Sequence, residues 1–83
     1  MDEKDILIKN IEKIHTTSLG IDRIKKNLKL NTDDVVKYCV DLIKDEKSTV
    51  TKKGKNFYVN IENTEITINS SSYTIITAHL KRK

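Results

Sequence analysis

The sequence predicts an α+β fold in which about three N-terminal helices pack on one face of a four-stranded antiparallel β-meander. Three observations carry that expectation. Through Glu46 the apolar residues recur three and four apart, the period of an amphipathic helix, and from Lys47 they alternate, the period of a half-buried strand. Capping residues (Ser, Thr, Asp, Asn) punctuate the first part and turn residues (Gly, Asn, Ser) the second. Helices that precede a run of strands belong segregated on one face of an antiparallel sheet.

A first helix is expected over residues 3–14, with Leu7, Ile11 and Ile14 on one stripe, Ile8 widening it, and Lys9, Glu12 and Lys13 elsewhere. His15-Thr16-Thr17-Ser18 interrupts it with three hydroxyl residues that suit a helix N-terminus, where side-chain oxygens satisfy free backbone N–H groups. A second helix then runs from Ser18 to Lys29, with Ile21, Ile24 and Leu28 inward and Asp22, Lys25, Lys26 and Lys29 outward. Gly20 in its first turns costs about 1 kcal/mol relative to alanine, which points to a close packing contact ahead of the alternative, a ligand near the helix start. Asn31-Thr32-Asp33-Asp34 starts a third helix by capping it and setting negative charge at its positive end. That helix reaches Lys44 and buries Val36, Val40 and Ile43, helped by Val35 and Cys39.

The strands follow as Ser48–Thr51, Asn56–Ile61, Glu65–Asn69 and a closing run from Ser71 to His79, separated by turns at Lys52–Lys55, Glu62–Thr64 and Ser70–Ser72. In the last strand, strict alternation sends Thr74, Ile76, Ala78 and Leu80 to the core and Tyr73, Ile75, Thr77 and His79 to the other surface. The uncovered side of the sheet is then expected to show Tyr58, Asn60, Thr67, Tyr73, Thr77 and His79 together, with Ile75 as its apolar member.

Eighty-three residues suit one domain, 1–83, with one core and no large buried substrate cavity. An aromatic content of 5% argues against a stacking platform of several aromatics and leaves Tyr38, Phe57, Tyr58 or Tyr73 for that role. The acidic opening Met1-Asp2-Glu3-Lys4-Asp5 is unlike a secretory signal, and no apolar run is long enough for a membrane span, so a cytoplasmic location without a membrane partner is expected. Cys39 is the single cysteine and reads as an inert core thiol.

The net charge of +4 is unevenly spread. Through Glu46 there are 9 basic and 10 acidic residues; from Lys47 onward there are 7 basic and 2 acidic, so the basic character belongs to the strand half. That asymmetry suits an anionic partner, RNA or an acidic protein. Lys52, Lys53, Lys55, Tyr58 and the tail Lys81, Arg82 and Lys83 are the candidate nucleic-acid contacts. A few lysines in turns would equally keep a small sheet in solution.

Metal-independent RNA cleavage needs a base for the 2′-hydroxyl proton, an acid for the leaving oxygen, and donors for the charge that builds on phosphorus. His15 and His79 suit the first pair; Arg23, Lys52, Lys55, Tyr73 and Thr77 offer the rest. Two histidines and one cysteine lack zinc-ligand spacing, neither glycine belongs to a phosphate loop, and no metal or cofactor is expected. The competing class is a non-enzymatic binding protein, such as a mobile-element regulator or inhibitor that meets nucleic acid or an acidic protein through the same surface.

With H-T-T-S-L-G-I-D-R-I-K-K-N-L at residues 15–28, T-D-D-V-V at 32–36, G-K-N-F-Y-V at 54–59 and Y-T-I-I-T-A-H at 73–79, the chain resembles a small bacterial family classed as a domain of unknown function. The match covers nearly all residues after Glu12. A looser resemblance is to the barnase, colicin and RelE-like toxin ribonucleases, which implies a metal-independent endoribonuclease. Under it the functional features fall on His15, Arg23, and Thr74 or Thr77 with His79.

Overall fold

A computed structural model describes residues 2–81. Its elements are α1 (Glu3–Lys9), a 3-10 turn (Ile11–Lys13), α2 (Ser18–Leu28), α3 (Val35–Lys44) and strands β1 (Thr49–Lys53), β2 (Asn56–Ile61), β3 (Thr64–Asn69) and β4 (Ile75–Leu80). The strands form one antiparallel sheet in the order β1-β2-β3-β4, so the α+β meander expected from the sequence is the observed fold. No helix among the described residues is long and apolar enough to cross a membrane.

Capping explains the helix boundaries. The Asp2 carboxylate accepts from the Asp5 N–H, Thr17 Oγ1 from the Gly20 N–H and Asp34 from the Lys37 N–H, and each satisfies a donor that the first helical turn leaves free. The first helix is shorter than its periodicity suggests. Asn10 ends it by donating its backbone N–H to the Ile6 and Leu7 carbonyls and its side-chain amide to Ile6, after which Ile11–Lys13 form a tighter turn. α2 ends at Lys29, whose φ of 56° lets the Leu30 N–H close on the Lys25 carbonyl.

In α3 the buried stripe is Val35, Cys39 and Ile43, whereas Val36 and Val40 are only half-buried, so the helix is rotated by one position from the expected stripe. Cys39 is fully buried, and burial pushes its thiol up to about 12, which makes it inert as expected. Gly20 is buried where α2 starts, and a Cβ there would collide with the Thr16 hydroxyl, itself held on the Ile75 carbonyl at 3.0 Å. Close packing is therefore the reason for this glycine.

Leu7, Ile24, Leu28, Val35, Cys39 and Ile43 from the helices meet Phe57, Val59, Ile66, Ile68, Ile75 and Ala78 on one sheet face. Each Val, Leu, Ile or Phe among them contributes on the order of 1.5–3 kcal/mol of burial. Sequence expectations for the strands change at several points, and the closing strand starts at Ile75 rather than Ser71, because residues 70–72 are turn. Lys52 and Lys53 belong to β1, because the hairpin turns on Gly54 and Lys55 alone, with Gly54 at φ 62°. In β4 the alternation breaks: Thr77 pairs with Thr67 and Ile75 with Ile68, leaving Ile76 as the extra residue of a bulge. Ile75 is consequently core at 1% exposure and Ile76 is 42% exposed, reversing their expected faces; Leu80 keeps its expected side, in the row of Ile61 and Thr64, but is 37% exposed at the strand end.

Candidate functional site

Away from the helices, register places three cross-strand rows on the open face. Thr51, Tyr58, Thr67 and Thr77 form the middle row; Thr49, Asn60, Glu65 and His79 form a second; Lys53, Asn56 and Asn69 form the third. Thr51, Lys53, Tyr58, Asn60 and Glu65 line a shallow depression of about 350 Å³. The Tyr58 hydroxyl lies 3.5 Å from Asn56 Nδ2, so this half-buried ring stands with its polar end engaged and part of its surface free. His79 Nε2 sits 3.7 Å from a Glu65 carboxylate oxygen, an ion pair when the imidazole is protonated.

The basic residues frame this face unevenly. Lys53 lies on it, whereas Lys52, one residue earlier, points to the opposite side. Lys55 occupies the β1–β2 turn, whose carbonyl accepts from the Ser70 N–H at one end of the sheet. Lys81 marks the other end, with its N–H on the Asn63 carbonyl. Arg82 and Lys83 lie outside the described residues.

The residues proposed for catalysis are not brought together. Tyr73 does not join the open face: at φ 58° its side chain turns under the sheet, where its ring lies 6.3 Å from Phe57 and beneath the Lys13 ammonium at 5.7 Å. Arg23 is exposed on α2, which packs on the covered face. Thr77 and His79 are on the open face. His15 is at the start of β4, where a parallel bridge to Thr74 holds it through His15 N–H to the Tyr73 carbonyl (3.2 Å) and Ile75 N–H to the His15 carbonyl (2.7 Å).

His15 is thereby five strand positions from His79, on the order of 15 Å at about 3.3 Å per residue. General acids and bases must reach their protons directly or through one water, and the register does not bring the two histidines to adjacent positions. Instead, the His15 ring is engaged locally, with Nδ1 2.8 Å from the Lys13 carbonyl and Nε2 3.0 Å from Thr74 Oγ1. Sequence reasoning missed Glu65 and Asn69, whose positions follow only from register, and Ser72, which approaches Thr74 through a turn.

The model of a family described as "Protein of unknown function" (DUF3781) matches residues 8–79. No curated protein and no solved structure matches the chain.

Proposed function

The chain belongs to this DUF3781 family, and we propose that it is an RNA-binding domain that takes a single strand across the open face of its sheet. The observation that carries this reading is the depression built from Tyr58, Asn60, Thr51, Lys53 and Glu65, a stacking surface with hydrogen-bonding groups and a cation at its rim. An unpaired base offers a π-face to Tyr58 and polar edges to Asn60, Thr51 and Glu65, the last accepting from a base amino group. Lys53 and Lys55 at one end and Lys81 at the other suit phosphates on either side. His79, when protonated, offsets the Glu65 charge that would otherwise repel the strand.

Titrating a fluorescent single-stranded RNA at increasing salt tests this. Each phosphate contact adds about −0.7 to the slope of log K against log salt. Tyr58→Ala should weaken binding about 5- to 150-fold, the equivalent of roughly 1–3 kcal/mol of stacking, with little change in that slope. Lys53→Ala should reduce the slope instead. No binding of the folded protein at low salt would sink the reading and leave an acidic protein as the partner to seek.

A further inference from the structure

We propose that Thr74 is a nucleophilic hydroxyl activated by His15, forming an acyl-transfer site at the β4 edge, separate from the open sheet face. Hydrogen-bond chemistry fixes the direction of the relay. A carbonyl has no proton to give, so His15 Nδ1, 2.8 Å from the Lys13 carbonyl, carries the hydrogen and donates it. In the neutral ring Nε2 is then the acceptor, and the hydroxyl 3.0 Å away donates to it: Thr74 Oγ1–H. Thr74 Oγ1 in turn lies 2.8 Å from Ser72 Oγ; with the Thr74 proton directed at Nε2, the Ser72 hydroxyl is the donor of that pair, its one proton shared with Asn69 Oδ1 at 3.2 Å. Nucleophile, base and an acceptor that orients the base thus stand in sequence, the backbone carbonyl filling the position a carboxylate takes in a serine triad.

Two features separate this pair from a fastening of the chain. The segment is already held by the two backbone hydrogen bonds of the parallel bridge and by Thr16 Oγ1 on the Ile75 carbonyl at 3.0 Å, so the imidazole is not needed to dock it. His15 is also exposed, with Thr74 half-buried beside it. The residue before Thr74 is Tyr73, a bulky side chain at φ 58° that sets the turn into β4, and strained backbone of this kind gathers at functional positions. The Lys13 ammonium, over the Tyr73 ring, brings positive charge to the same segment.

The substrate class is an activated acyl group, an ester or thioester. Thr74 Oγ1 bonds to the acyl carbon as its proton passes to His15 Nε2. The tetrahedral intermediate collapses, the bond to the alcohol or thiol breaks, and the leaving group takes the proton from Nε2. The products are acyl-Thr74 and the free alcohol or thiol, with no change of oxidation state.

A fluorophosphonate probe tests the site, because the same attack forms an Oγ–P bond, expels fluoride and leaves a stable adduct that peptide mass spectrometry locates. The native protein should be labelled at Thr74; H15Q should slow labelling about 100-fold or more, T74V should abolish it, and T74S should retain it at the same position. Thermal melting establishes that each variant is folded, and ¹⁵N shifts of the native His15 ring should report hydrogen on Nδ1. No adduct on the native protein, an adduct on Ser72 instead, or equal labelling of folded H15Q overturns the proposal. RNA binding by Tyr58 is measured separately and is unaffected by either outcome.

Discussion

The two faces of the sheet use the same strands for opposite purposes. Beneath it Val59, Ile66 and Ala78 form one cross-strand row, all fully buried; one step along, Tyr58, Thr67 and Thr77 form a row that faces away from the helices. Adjacent residues therefore serve different surfaces: Ile66 is fully enclosed beneath the sheet, while Thr67, 8% exposed, lies on the face turned away from the helices, packed in by its row neighbours. In a chain this small the core is confined to one surface of the sheet, and the other is free to carry polar chemistry.

Truncating neighbouring residues should separate the two faces most widely. Ile66→Ala should cost about 2–5 kcal/mol in chemical denaturation, since it empties a fully enclosed site between helices and sheet. Thr67 is 8% exposed but packs only against its row neighbours on the open face, so Thr67→Ala should cost less than Ile66→Ala, about 1 kcal/mol. Equal losses at the two positions would mean that the open face is also structural.

Gly20→Ala comes next. The added methyl meets the Thr16 hydroxyl that bonds to the Ile75 carbonyl, so it should cost about 1–3 kcal/mol and loosen the segment on β4. A melting temperature at or above that of the native protein would show that Thr16 is free to move away, and that the covered face tolerates insertion at its margin.

The smallest effect is expected at Asp33, wholly exposed, where hydrogen bonding to Lys25 at 2.7 Å, and then the Lys25 charge, hold the carboxyl below its ordinary value. The sign follows from that direction. A lowered folded-state pKa contributes stability above the unfolded-state value, and the contribution disappears as pH falls through the folded-state value. Asp33→Asn should leave the melting temperature essentially unchanged at pH 7 and flatten its decline in the acid range slightly; a large loss at pH 7 would contradict solvent screening of this pair.

Much of the fold was legible in local chemistry. Thr17 and Asp34 announced two helix starts because caps act within a turn, and Phe57, Val59 and Ile61 announced a strand because their alternation is unbroken. The closing strand was less legible. With Ile75 and Ile76 adjacent, both phases of alternation are apolar, and the bulge that selects Ile75 for the core is fixed by pairing to Thr67 and Ile68. For the candidate sites, Tyr58, Thr77 and His79 could be placed on one face from period two, whereas Tyr73 could not, because its positive φ turns the side chain out of sequence. His15 was identifiable as a junction residue, but its Thr74 partner lies 59 positions away and no local pattern connects them.

That parallel bridge also orders the assembly of the molecule. The meander closes through short hairpins, each a local event, but His15 meets Thr74 only after most of the chain has been drawn into a loop. Closing such a loop costs entropy that local pairing does not, so the bridge belongs to the late, slow part of folding. The His15 segment then waits for a strand 59 positions further along, and its docking records that the sheet is complete.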